Sequence, residues 1–148
     1  MTAYDTVENA DLYFEDRLHV YQWTQALASD KEKALIEATM RIDRLRFSGE
    51  KTVDTQELEF PRDGDTVVPT DIKIACYEIA YELLRGANPD KEISNIGVTN
   101  RRFEGVSVSW DKDTEVEHIA AGIPSVLAWN YLRPYLAKIK SIRVRRVN

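Results

Sequence analysis

The chain has 148 residues, of which 43% are hydrophobic and 30% are charged, with a formal net charge of −5. This length suits one ordinary domain with its own core, and the composition is typical of a globular protein. No apolar run approaches the ~20 residues that span a bilayer, the acidic start lacks the pattern of a signal peptide, and the single Cys76 cannot form an internal disulfide.

The first half of the chain predicts two helices. Asn9 suits an N-cap, and the apolar spacing after it predicts a first helix to about Arg17. Residues 20–23 fit either a short helical turn or a loop. The capping-box pattern of Ser29 and Glu32 predicts the start of a second helix, and Gly49 ends that helix or lies just beyond it.

The middle of the chain predicts an extended connector and then a third helix. Residues 50–67 are polar, and Pro61 favours an extended residue before it. Pro69 and Thr70 start the third helix, whose apolar stripe is wide enough for burial on more than one side. Gly86 is the expected residue after its end.

The last part of the chain changes period. Val106 and Val108 alternate with serines, which predicts a strand, and Ile96 and Val98 are its expected partner in a β-hairpin. Pro124 suits the first turn of a fourth helix. Pro134 either kinks that helix or begins a separate turn. The residues after it predict an extended C-terminal tail.

The charge is concentrated at this end. The 21 residues from position 128 onward hold six of the 20 basic residues and no acid, so the other 127 residues carry 14 basic and 25 acidic groups. Such an asymmetry predicts a polar partner: an acidic protein surface, a nucleic acid or a neighbouring copy. A solvated tail without a partner is the alternative. The six candidate partner-binding residues are Arg133, Lys138, Lys140, Arg143, Arg145 and Arg146.

The sequence contains no catalytic constellation. His19 and His118 lack neighbours at metal-ligand spacing, and no glycine-rich phosphate loop is present. Cys76 lies on an apolar helix face, which predicts a buried residue. We therefore expect no enzymatic activity, no metal and no cofactor.

A nucleic-acid interpretation depends on aromatic and basic residues lying together. Trp129, Tyr131 and Tyr135 are close in sequence to Arg133 and Lys138. Helix packing explains the same aromatic spacing, and the acidic pI of about 5.1 disfavours a nonspecific binder.

One block of the sequence is distinctive and comprises Gln56, Leu58, Phe60, Pro61 and Arg62, with Pro69 shortly after it. Supporting segments are residues 10–17, 33–43, 68–75, 105–110 and 123–136. Together these segments, which cover most of residues 9–136, resemble one family, the head–tail connector (adaptor, or head-completion) proteins of tailed bacteriophages. Sequences of this kind are also labelled DnaT-like single-stranded DNA-binding proteins.

The resemblance implies a mainly α fold: a bundle of about four helices with a short β-hairpin between the third and last helix. It also implies a structural virion protein at the neck, synthesised in the host cytoplasm. About a dozen copies would form an oligomeric ring that binds the portal protein and a tail or neck component, with packaged DNA passing through it. The expected organisation is one domain, with a helical body at about 9–136 and a basic tail at about 137–148. The alternative function is a single-stranded DNA-binding accessory protein of phage replication.

Overall fold

The computed structural model describes residues 1–96, 100–103, 106–109 and 117–138. In these ranges the chain forms seven α-helices, a 3-10 turn at Arg133–Tyr135 and two short strands. The helices are α1 (Val7–Glu15), α2 (Tyr21–Gln25), α3 (Ala28–Asp43), α4 (Thr70–Leu84), α5 (Pro89–Ile96), α6 (Glu117–Ala120) and α7 (Val126–Leu132). The strands are β1 (Asn100–Phe103) and β2 (Val106–Ser109).

The mainly α class is confirmed, whereas the prediction of about four helices is wrong. The additional helices α2, α5 and α6 are only 5, 8 and 4 residues long. Helices this short are marginal on their own and depend on tertiary contacts, which a local pattern does not reveal. The unclassified segment around Trp23 is α2, with the indole buried.

Helix α4 lies at the centre of the fold, packed between α3 and α7, with α2 also against it. Its predicted wide stripe is confirmed, since both Ile72 and Ile79 are fully buried, as are Ala75, Cys76 and Ala80. Leu35 and Ile42 of α3 and Leu132 of α7 fill the space on either side. Removing these side chains from water is the main stabilising contribution to the bundle.

Two predicted helix starts differ from the structure. Helix α1 is capped by Thr6, whose hydroxyl accepts from the backbone N–H of Asn9 at 3.3 Å, so the predicted N-cap lies within the helix. Helix α3 begins at Ala28 after Leu27, which makes no side-chain cap. Ser29 is therefore inside the first turn, and the predicted capping box is wrong.

The predicted start and end of α4 are confirmed, whereas the last long helix begins later than predicted. Helix α4 starts at Thr70, and Gly86 follows its end with a φ of 90°, as expected. The last long helix begins only at Val126, because Ser125 caps it by accepting from the N–H of Ala128. Pro134 lies in a separate 3-10 turn.

The two strands pair antiparallel, with Asn100 opposite Ser109 and Phe103 opposite Val106. The hairpin as predicted, with Ile96 and Val98 in the partner strand, is not supported. Ile96 ends α5, a helix that Asn88 initiates by accepting from the N–H of Lys91 at 3.2 Å. Val98 and Trp110 lie outside the described residues, as does the extended tail after position 138.

The distinctive block at residues 56–62 is an ordered loop held by hydrogen bonds within it. The predicted simple extended connector does not form. The side-chain amide of Gln56 donates to the carbonyls of Leu58 at 2.8 Å and Pro61 at 2.9 Å. Phe60 is buried among the rings of Tyr4, Phe47 and Tyr135. Pro69 sits at the N-cap of α4.

Arg62 fastens this loop to the segment that follows α3. Its guanidinium donates to the carbonyls of Ser48 at 3.0 Å and Gly49 at 2.6 Å, and to the Glu59 carboxylate at 2.8 Å. Gly49 has a φ of 74°, and a Cβ there would lie 2.1 Å from an oxygen of Asp63. The positive φ therefore favours glycine at this position, and a Cβ there would displace the Asp63 carboxylate.

Candidate nucleic-acid interface

A backbone clamp joins two segments that are distant in sequence. Phe47 forms an isolated antiparallel bridge with Leu136. On either side of it, the N–H of Ser48 donates to Tyr135 and the N–H of Ala137 donates to Arg46, both at 2.9 Å. The clamp brings the end of α3 next to the end of the 3-10 turn.

Beside the clamp lies an open cleft of about 950 Å³, which we call the basic cleft. Its charged lining among the described residues consists of Arg46, Arg133, Lys138 and Glu117. The apolar and aromatic lining consists of Leu45, Trp129, Leu136 and Ala137. Three cations against one acid make this a locally positive site on a chain of net charge −5.

The three cations of the cleft are exposed, and none makes an ion pair in the described part of the chain. Arg44, the C-cap residue of α3, likewise makes none. Elsewhere cations are paired with carboxylates: Arg17, Lys31, Lys33, Arg41, Lys51, Arg62, Lys73 and Arg85. The cleft therefore concentrates positive charge that the described protein groups do not neutralise.

The aromatic residues near the cleft have distinct roles. Trp129 lines it and is 7% exposed, and its indole nitrogen has no hydrogen-bond partner among the residues that the structure describes. Tyr135 packs on Phe60 at 5.6 Å and donates to Asp71 at 3.2 Å, and burial together with the charge of Asp71 raises the pKa of its phenol. Tyr131 is partly buried against the core. Among the described residues, Trp129 is thus the aromatic side chain that lines the cleft.

The structure brings together part of the predicted basic site and adds one residue to it. Arg133 and Lys138 both line the cleft, while Lys140, Arg143, Arg145 and Arg146 lie outside the described residues. Arg46 was missed, because only the nonlocal clamp places it beside Arg133. No local sequence signal distinguishes it from the neighbouring Arg41 and Arg44.

Two other residues with reactive or charged side chains, Cys76 and Glu78, are buried in the core. Cys76 is buried, as predicted, and burial raises the pKa of its thiol to about 12, which leaves it unreactive at neutral pH. The buried Glu78 carboxylate accepts from Tyr13 and pairs with Arg17, both at 2.7 Å.

No group of metal-binding side chains occurs in the part of the chain described. Within the same ranges, no helix has the length and hydropathy to cross a lipid bilayer.

A family model described as "Putative DnaT-like ssDNA binding protein" matches residues 1–147. No curated protein and no solved structure matches the chain significantly.

This match corrects the interpretation as a bacteriophage head–tail connector. The matching family is described by single-stranded DNA binding, which was the alternative function, and the virion, neck, adaptor, head-completion and portal-binding assignments are not supported. The ring of copies and the portal and tail partners are not shown either. The predicted location in a virion was based on that interpretation alone, and no observation tests it. The single-domain organisation stays a prediction.

Proposed function

The chain belongs to the family of DnaT-like single-stranded DNA-binding proteins, and from that premise we propose that it binds single-stranded DNA in the basic cleft, without catalysis. One observation carries the proposal. Arg46, Arg133 and Lys138 line a cleft with an apolar and aromatic surface, and no carboxylate in the described part of the chain pairs with them.

The chemistry of the cleft suits an unpaired strand. Phosphates are held mainly by lysine and arginine, and binding releases the counterions that surround the nucleic acid. Unpaired bases also expose flat apolar faces, which a duplex hides in its stack, and these faces bind to aromatic and apolar protein surfaces. The apolar lining from Leu45 and Leu136 offers such a surface next to the cations.

The rest of the chain favours binding at one place. Outside the basic end, acidic residues outnumber basic ones by 25 to 14, so most of the surface repels phosphate. In the sequence, four further cations follow Lys138: Lys140, Arg143, Arg145 and Arg146. We propose that these cations add to the attraction of the basic end for phosphate.

The test is the fluorescence anisotropy of a labelled oligodeoxythymidylate across a salt series. Three phosphate contacts predict a slope of log K against log salt of roughly −2, and contacts by the following cations would make it steeper. The control is a duplex of the same length, for which we expect weaker binding at each salt concentration. Absence of binding at low salt, or binding that salt does not weaken, would contradict the proposal.

A further inference from the structure

Within the described part of the chain, the indole N–H of Trp129 is a buried donor without an acceptor. It lies in a side chain that is 7% exposed, and its nitrogen is covered from solvent. The other described tryptophan behaves differently, since the indole of Trp23 donates to Asp11 at 2.7 Å. Buried indole donors usually find a partner, so the exception at Trp129 calls for an explanation.

The position of Trp129 offers an explanation for its unpaired indole in the described structure. It lines the basic cleft together with Arg46, Arg133 and Lys138. Those three cations attract phosphate, which brings oxygen acceptors to this wall of the protein. A strand in the cleft therefore carries the type of atom that the indole lacks.

We propose that Trp129 donates a hydrogen bond to an acceptor oxygen of the bound strand. The inference rests on the proposed function and names an additional binding residue in the same cleft. Because the nitrogen is covered in the free protein, the contact forms when the wall of the cleft shifts as the strand enters. The acceptor is either a phosphodiester oxygen or the exocyclic carbonyl of a base.

The test is a titration of the 15N-labelled protein with oligodeoxythymidylate, followed in the indole region of a proton–nitrogen correlation spectrum. The variant Trp129→Phe assigns the resonance by its disappearance. We expect the Trp129 indole proton to move downfield on binding, while the Trp23 proton, already bonded to Asp11, stays in place. An abasic oligonucleotide of equal length distinguishes the two acceptors.

Each outcome has a defined meaning. A downfield shift with both strands supports a phosphodiester acceptor, and a shift with the base-bearing strand alone supports a base carbonyl. An unmoved resonance while anisotropy reports binding overturns the role of Trp129 and leaves the proposed function standing. If neither strand changes the anisotropy, the proposed function itself fails.

The same variant gives a second readout. We expect Trp129→Phe to weaken binding of oligodeoxythymidylate about 3- to 10-fold through loss of one hydrogen bond. Circular dichroism of the variant shows whether it is folded. Wild-type affinity in a folded variant would contradict the proposal.

Discussion

Reversing two charges in the basic cleft, with Arg46→Glu and Arg133→Glu, is expected to weaken binding of single-stranded DNA by on the order of 100- to 1000-fold. Each reversal removes an attraction to phosphate and adds a repulsion. One unit of charge at an exposed contact contributes about 1 kcal/mol, and the two reversals change four units. Anisotropy at one fixed salt concentration measures the loss.

The matched control has the same change in net charge placed elsewhere. Lys33→Glu with Arg85→Glu alters two cations that belong to surface ion pairs away from the cleft, on α3 and at the end of α4. Such pairs contribute little to stability, so both double variants should fold. We expect the control to lose only a few-fold in affinity. Equal losses in the two variants would mean that the field of the whole protein, not the cleft, holds the strand.

Arg62→Ala is expected to lower the free energy of unfolding by about 2–4 kcal/mol, because hydrogen bonds from a charged group contribute more than neutral ones. The guanidinium bonds to the carbonyls of Ser48, Gly49 and Glu59 and to the Glu59 carboxylate. Its loss leaves these carbonyls of the loop without their donor. Urea denaturation measures the change as a shift of the midpoint at constant slope.

The control for Arg62 uses the other cation on the same carboxylate. Lys51 contacts Glu59 at 3.3 Å and its side chain is 29% exposed, compared with 11% for Arg62. Lys51→Ala should therefore cost less than about 1 kcal/mol. Similar small effects of both substitutions would show that the loop is stabilised by its apolar contacts and not by the guanidinium.

Local patterns predicted the parts of the fold that local chemistry controls. Helix α4 carries a strong apolar stripe between Pro69 and Gly86, so its start and end followed from the sequence. Helix α3 has an equally regular stripe, but the Ser29 pattern placed its start too late. The bridge between Phe47 and Leu136 joins residues far apart in sequence, and no local pattern indicates it.

The sequence likewise indicated only some of the residues of the candidate site. The charge asymmetry pointed to the basic end, and Arg133 and Lys138 do line the cleft. Arg46 and the role of Trp129 depend on the fold, since neither is distinctive until the clamp brings the two segments together. Four of the six predicted basic residues lie beyond the described part of the chain.

The distinctive block at residues 56–62 illustrates why a motif can mislead about function. Gln56 and Arg62 use their side chains for bonds within the loop, and Phe60 is buried among aromatic rings. These residues therefore describe how the loop packs and say little about which partner the protein binds. The connector interpretation took a structural signature as evidence of a role.

The most direct test of the account is photo-crosslinking of the protein to an oligonucleotide containing 4-thiothymidine, followed by digestion and mass spectrometry. Binding in the cleft predicts crosslinks in peptides that contain Arg46 and in those that cover Trp129 to Lys138. Crosslinks confined to the acidic helix α1, or to the β1 arginines Arg101 and Arg102, with none in the cleft peptides, would contradict it.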